Sequence, residues 1–279
     1  MTSNVDEPID STWAVLISSF DDNCDLWPLF FDYFFKQWPD VPTPVYLVTN
    51  FKRYDDPRVV SLCVGKDTNW GHVITQSLDS IQARYIWMLL DDLFLDRPVE
   101  TTRVNEVVGQ IAKRNGVYIE TGRQSDIGPL IEGTDLRRIP KENPIAGINS
   151  AIYSKKLLLE LARPGNSIWD GNKLMNSLNL NDSPDLYYVS EGVSPLISFV
   201  EAVKGKFWKP IAMEFMKKSG MTPDLKWRPF PPQGQDPLSK FIRSIYKRRM
   251  DLRKKRDERR FAAGLLPPVV RPHDEEAAA

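Results

Sequence analysis

The stretch YIWMLL, Tyr85 to Leu90, places six apolar residues in a row and ends on two carboxylates, Asp91 and Asp92, with LFL directly behind. No other feature limits the fold as much. A run this short and this apolar reads as a strand buried on both faces, and such strands sit mid-sheet in parallel arrangements with helices on either side. In open α/β sheets ligands bind at the carboxyl ends of the strands, where Asp91 and Asp92 fall. Two charges beside a core are costly unless something pairs with them, so a metal ion, another cation or a phosphate-bearing ligand is expected there.

The flanking segments agree with a sheet. Trp13 to Ser19 (WAVLISS) predicts a first buried strand, and Leu26 to Trp38 an aromatic-rich helix that tolerates Pro28 in its first turn. Val45 to Asn50 and Arg58 to Gly65 predict two more strands, and Thr68 to Gln82 a helix leading into YIWMLL. The order β-α-β-β-α-β over the first hundred residues argues for an α/β fold. Further on, residues 101–114 predict a helix, Gly116 to Thr121 a strand, and 122–143 a loop or short strands over an active-site mouth. INSAIYSKKLLLELAR reads as a strand running into a helix, and PGNSIWDGNKLMNSL as a helix capped by Asn166 or Ser167.

With 279 residues and 42% hydrophobic content, the chain can form one large domain or two small ones. The expected layout is a disordered segment at 1–11, a catalytic domain at 12–230, a basic amphipathic helix at 238–262 and a disordered tail at 263–279. Net charge is zero, but Ser239 to Phe261 holds eleven Lys and Arg against three acids, a net of +8 that the remainder balances with −8. Phe241, Ile242, Ile245, Tyr246 and Leu252 give that helix an apolar edge. Residues 239–261 are therefore expected to meet an anionic membrane surface, the competing reading being a solvated helix or one packed on the acidic domain. A short, single basic helix is a poor nucleic-acid binder, and no nucleic-acid partner is expected.

Cys24 and Cys63 are the only cysteines, which fits a reducing cytosol. His72 and His273 are the only histidines, so neither a His/Cys zinc site nor a Ser-His-Asp triad finds support. The polar, acidic start does not read as a signal peptide, so none is expected, and no apolar run approaches about 20 residues. A cytoplasmic protein, peripheral on the inner face of the plasma membrane, is the expectation.

By the same edge rule, Ser18, Ser19 and Asp21 after the first strand, and Thr49 and Asn50 at the end of the second, should line a pocket for base and ribose. Ordinary loop capping by these residue types is the competing reading. Asp67 and Trp70 would add a donor contact and a wall. Adjacent strand side chains point to opposite faces, so Asp91 and Asp92 can act together only if the strand ends in a turn. The metal, Mn²⁺ or Mg²⁺, is assigned to Asp92, and a ribose contact or a supporting role behind the metal to Asp91. Arg123, Arg137 and Arg138 read as scattered surface arginines.

Four stretches together resemble a bacterial glycosyltransferase family of the GT-A type, of the kind that builds capsule and lipopolysaccharide chains. They are LISSFDDNCDLWPLFFDYFFKQWPDVPTPVYLVTN, NWGHVITQSLDSIQARYIWMLLDDLFL, INSAIYSKKLLLELARPGNSIWDGNKL and FVEAVKGKFWKPIAMEF, between about Trp13 and Gly220. The resemblance implies a Rossmann-type, mixed but mostly parallel sheet flanked by helices. It also implies inverting transfer of a sugar from a nucleotide-sugar donor to a glycan or glycolipid acceptor. Asp170 would then be the general base, with Trp169 and Asn149 on the acceptor side. Two departures stand out: the usual Asp-x-Asp is Asp91-Asp92-Leu93, and the acceptor pattern Trp-acid-x-acid is reduced to Trp169-Asp170-Gly171-Asn172. A sugar-phosphate nucleotidyltransferase shares the sheet and acidic site, but SSFDDNCD lacks the Gly-rich, basic phosphate loop it would need. A non-catalytic membrane-associated binding protein is the third possibility.

Overall fold

The computed structural model describes residues 11–42, 44–66, 69–141, 143, 148, 150–181, 185–232, 237–265 and 269–272. Asp67 and Asn149, both expected at the site, lie outside these residues, as does the segment 1–10. In chain order the elements are β1 (Ser11–Ser18), α1 (Trp27–Gln37), β2 (Val45–Thr49), β3 (Val59–Cys63), α2 (Trp70–Leu78), β4 (Ala83–Leu90), β5 (Leu93–Leu95), α3 (Thr101–Lys113), β6 (Tyr118–Gln124) and β7 (Leu136–Arg138). There follow β8 (Ala151–Ser154), α4 (Lys155–Leu161), α5 (Ile168–Asn181), β9 (Leu186–Val189), β10 (Phe199–Glu201), β11 (Val203–Lys204), β12 (Phe207–Trp208), α6 (Pro210–Ser219) and α7 (Pro237–Ala262). The protein is α/β, with a mixed sheet flanked by helices.

The chain divides into two compact units. The first comprises Met1–Leu16, Thr68–Leu89 and Thr102–Leu196, the second Ile17–Asp67, Leu90–Thr101 and Ile197–Ala279. In the first unit the strand order is β1-β4-β8-β6-β9-β7. β8 runs antiparallel to both β4 and β6, β9 parallel to β6, and β7 antiparallel to β9, so β4, β6 and β9 share one direction. β4 is buried on both faces from Tyr85 to Leu89, as its composition predicts. One of its neighbours is antiparallel, however, so the double burial comes from a place inside the sheet and not from parallel pairing. Trp13 and Trp87 pack with ring centroids 6.2 Å apart, and Trp13 Nε1 donates to Asn105 Oδ1 at 2.8 Å. Trp70, half-buried, lies against the backbone of Gly171 and belongs to the packing of α2 on α5.

The second unit is built around α1. Its sequence WPLFFDYFFKQ has no β-branched residue, carries Pro at the second position and ends before Pro39, so local propensity and punctuation agree. Seven of its eleven residues are buried, including four phenylalanines, which makes it a core helix and not a surface one. Phe31 stacks on Tyr54 at 4.8 Å, Phe30 packs on Phe94 of β5 at 6.0 Å, and Tyr33 meets Phe215 of α6 edge-on at 5.0 Å. Each buried phenylalanine contributes about 1.5–3 kcal/mol. β2 and β3 pair in parallel, β5 and β10 antiparallel, and β11 and β12 form a hairpin turned by Gly205 at φ 63°.

Two expectations about the C-terminal region are corrected. The basic helix forms, but its apolar residues do not make one edge: Met250 is buried and Ile242 and Tyr246 half-buried, whereas Phe241, Ile245 and Leu252 are exposed. The segment after it does not trail away as disordered chain throughout. Val270 bridges Tyr54 in parallel, accepting from the Asp55 N–H at 2.8 Å and donating to Arg53 O at 2.8 Å. Backbone pairing of this kind secures an end that composition alone assigns to disorder.

α2 meets the turn that follows α4 at Gly71, where a Cβ would lie 2.1 Å from the Arg163 carbonyl oxygen. Gly71→Ala is expected to lower the unfolding free energy by about 2 kcal/mol or more, read by chemical denaturation.

Candidate functional site

β4 stops at Leu90, and Asp91 and Asp92 form a turn before β5. This is the break in the strand that lets two adjacent carboxylates act in one region. Both belong to the second unit, together with the end of β1, the 3-10 turn Asp21–Asn23 and the β10–β12 region. The first family-like stretch from Ile17 onward, the end of the second from Leu90 to Leu95, and the fourth therefore belong to this unit.

Asp91 is 4% exposed. Its Oδ2 accepts a short hydrogen bond from Ser19 Oγ, its Oδ1 accepts from Asn23 Nδ2 at 3.1 Å, and Ser19 Oγ in turn accepts from Trp27 Nε1 at 2.8 Å. Burial pushes the Asp91 carboxyl up to about 7, with the charge of Asp92 acting in the same direction. Asp92 is half-buried, and burial followed by the negative charge of Glu201 raises it to about 6. Its own backbone N–H, Arg228 and Lys209 oppose that shift. Among the described residues no other side chain donates a hydrogen bond to the Asp92 carboxylate. Glu201 pairs closely with Lys209, and Ala202 N–H donates to Asp92 O at 2.7 Å, which ties β10 to the doublet.

Of the expected donor residues, Asp21, Asn50 and Ser19 hold hydrogen bonds within the chain. The Asp21 carboxylate accepts from the backbone N–H groups of Asn50 (2.9 Å), Phe51 (3.1 Å) and Lys52 (3.2 Å). Asn50 Oδ1 accepts from Asp21 N at 3.0 Å, and its Nδ2 donates to Gly65 O at 3.1 Å. Ser19 is committed to Asp91 and Trp27, Thr49 Oγ1 points to Cys63 Sγ at 3.4 Å, and Ser18 is half-buried at the end of β1. These groups lock the strand ends to one another, the loop-capping duty typical of Ser, Asp and Asn. The cavity lined by Phe20, Asp21, Asp22, Asn50, Phe51, Lys254, Asp257 and Glu258 measures about 10 Å³, room for roughly one water. An adjoining open depression of about 400 Å³ is lined by Phe51, Lys66, Glu258, Arg259, Phe261 and Ala262.

Arg228 is the residue that sequence reading misses. It is fully buried, forms a two-point pair with Asp25 (Nε to Oδ2 and Nη2 to Oδ1, both 2.9 Å) and donates to Asn23 Oδ1 at 2.8 Å. Its Nη1 is buried without a hydrogen-bond partner among the described residues. Nothing local marks Arg228, since it lies in a Pro-rich stretch about 200 residues from its partners; only a DNCD pattern with unpaired acids hints that a cation must arrive. Lys52 is similar: 4% exposed, it pairs with Asp257 at 3.0 Å and lies 3.3 Å from Cys24 Sγ.

Of the expected acceptor-side residues, Trp169 and Asp170 lie in the first unit. Asp170 forms a capping box with Ser167: Ser167 N donates to Asp170 Oδ2 at 3.0 Å, and Asp170 N donates to Ser167 Oγ at 3.3 Å. The same Ser167 contacts hold the Asp170 carboxyl below its ordinary value, the wrong direction for a base that must collect a proton. Trp169 is 71% exposed. Of the arginines, Arg123 donates to Tyr188 OH at 2.6 Å, Arg137 pairs with Asp126 at 3.1 Å, and Arg138 pairs with Asp185.

No family model matches the sequence, and no curated protein matches it either. Among solved structures, S. aureus TarS residues 1-349 in complex with UDP-GlcNAc is 11% identical, with 70% of this chain and 59% of that chain covered and a TM-score of 0.45. This chain therefore spans less than two thirds of that TarS fragment, and 36% of the longer TarS chain. A CMP:2-keto-3-deoxy-manno-octonic acid synthetase complexed with CTP is 10% identical over 75% of this chain and 98% of that chain, TM-score 0.42. A cytidylyltransferase from Leptospira borgpetersenii is 9% identical over 75% and 95%, TM-score 0.41. Likenesses at this distance assign neither an activity nor a substrate.

Two predictions come from this geometry. A carboxyl group raised on folding contributes stability that is complete below its unfolded value of 3.8 and is lost as pH rises through its folded value, about 6 for Asp92. Asp92→Asn is therefore expected to be more stable than the parent at about pH 8, by on the order of 2 kcal/mol, and to converge with it near pH 4, read by melting across that range. Ser167→Ala removes the cap of α5 and is expected to cost about 1 kcal/mol in denaturant unfolding.

Proposed function

We propose that this chain is a nucleotide-dependent transferase that moves a sugar from a nucleotide-sugar donor to a glycan or glycolipid acceptor. The observation that carries this reading is the raised, desolvated pair Asp91 and Asp92 at the end of a buried strand, beside a buried guanidinium with one nitrogen unspent. Two acids kept out of water want a cation, and a buried Arg nitrogen wants an anion. A cation bound to diphosphate satisfies both.

A divalent ion fits the donor set in one specific way. Among the described residues no group of three or more His, Cys, Asp or Glu side chains could hold a metal ion, so no all-protein cage is available. Mg²⁺ and Mn²⁺ sites commonly use one or two carboxylates and complete their shell with water and substrate phosphate. Asp92 would hold the ion, since among the described residues no side chain donates a hydrogen bond to its oxygens. Asp91, already engaged by Ser19 and Asn23, keeps the turn in place. When bound, Mg²⁺ or Mn²⁺ supplies charge stabilisation to the departing nucleoside diphosphate. In this reading Arg228 and Lys209, whose charges both act on Asp92, would add positive charge for the departing diphosphate. The open depression beside Phe51 and Phe261 is within the size range of small-ligand sites, whereas the cavity at Asp21 is far below it.

The acceptor hydroxyl must lose a proton, and Asp170 is the carboxylate that the sequence offers. Transfer assays on Asp170→Asn separate its two roles. Loss of transfer with intact donor binding makes it the base; unchanged transfer leaves it a cap alone.

The decisive experiment is a melting-temperature screen of UDP-, GDP-, CMP- and dTDP-sugars with and without Mn²⁺. One donor is expected to raise the melting temperature only with metal present, and Asp92→Asn to abolish the rise. If no nucleotide shifts the parent, or if Asp92→Asn responds equally, the transferase reading fails. Pyrophosphate release from a nucleoside triphosphate and a sugar phosphate would instead assign nucleotidyl transfer.

A further inference from the structure

We infer that the outward face of α7 is a docking surface for an anionic lipid bilayer. The claim rests on the helix alone and not on the transfer reading.

α7 has two unlike sides. On the inward side Met250 and Asp257 are buried, Asp257 pairs with Lys52, and the Arg253 guanidinium lies 3.8 Å from the Trp227 ring centroid. These contacts already hold the helix on its own unit. The outward side carries Leu238, Phe241, Ile245 and Leu252, exposed by 65%, 62%, 49% and 59%. Taking about 3.6 residues per turn, these four fall in a sector about 60° wide, so they form one stripe. Arg248, Arg249 and Arg256, all exposed, flank or continue it. The stripe is not a remnant of internal packing, because the opposite side does the packing. Elsewhere in the same unit, α1 buries every one of its phenylalanines.

The chemistry of the stripe selects its partner. A second copy of this chain would bring one +8 helix against another, and like charges at a shared face repel. A nucleic acid would use the arginines and leave four large apolar side chains in water. An anionic bilayer uses both: the apolar groups enter the boundary between headgroups and acyl chains, while the arginines extend back to the lipid phosphates. Clustered cations add attraction to an anionic leaflet that falls with salt. No described helix is long and apolar enough to cross a membrane, and this mode needs none.

The test is vesicle flotation of the full chain. Equimolar phosphatidylcholine and phosphatidylglycerol vesicles are expected to carry it upward, and pure phosphatidylcholine vesicles to leave it behind. Phe241→Ser/Ile245→Ser/Leu252→Ser should reduce flotation more than about tenfold. Its melting temperature should match the parent, since these side chains are exposed. Arg248→Glu/Arg249→Glu should weaken flotation independently, which keeps the test sound if the triple variant folds poorly. The inference is overturned if the parent does not float with anionic vesicles, or if a well-folded triple variant floats as the parent does. It is also overturned if light scattering shows a dimer that the triple variant dissociates while flotation is absent.

Discussion

A carboxylate withdrawn from water must be given donors, a cation or a proton, and the second unit is organised around that requirement. Three acids within it meet the demand differently. Asp21 collects three successive backbone N–H groups from the loop after β2. Asp91 takes side-chain donors from Ser19 and Asn23 and, with its carboxyl raised to about 7, is partly protonated near neutrality. Asp92 has its own backbone N–H and the distant charges of Arg228 and Lys209, set against Glu201. The first two acids hold directed hydrogen-bond donors from within the chain. The third leaves negative charge for something else to neutralise, and that asymmetry is why Asp92 is the centre of the functional argument.

The same physics explains why Arg228 matters. Its pairing with Asp25 uses two nitrogens in a geometry that only a guanidinium can offer, and its position close to both carboxylates of the doublet lowers their cost. A buried pair of this kind adds little net stability, but removing one partner strands the other, so the segment around Trp227 and Arg228 is committed to its place. α7 extends this principle outward. On its inward side Asp257 pairs with Lys52 and Arg253 lies over the Trp227 ring, while the outward cations remain at the surface beside an apolar stripe. One helix thus closes the unit with one side and keeps the other for a partner.

Much of this architecture was legible locally. The apolar run ending on Asp91 and Asp92 predicted the buried strand, because burial on both faces is the natural use of such a run, whereas the turn that follows was only a condition for the two carboxylates to act together. The aromatic segment from Leu26 to Trp38 predicted α1, and the loop PGNS predicted the cap of α5. β9 and the pairing of β10 with β5 were not readable, since three- and four-residue strands carry too little period to separate from loop. The division of α7's apolar residues between two faces was also hidden: Ile242 and Tyr246 follow Phe241 and Ile245 by one position each, and the sequence does not say which pair faces inward.

By itself, then, the sequence determined the longer helices and strands, the acidic doublet at a strand end and the excess positive charge near the C-terminus, because each depends on neighbours in the chain. Only the tertiary structure decided which acids are already satisfied. Asp21 and Asn50 have the composition of a ligand site, and the fold joins them to each other and to the backbone of the loop after β2. Arg228, distant in sequence from the doublet, is brought close to it by packing. Burial sets the energy of a charge, and burial is a property of the folded surface, which no local pattern encodes.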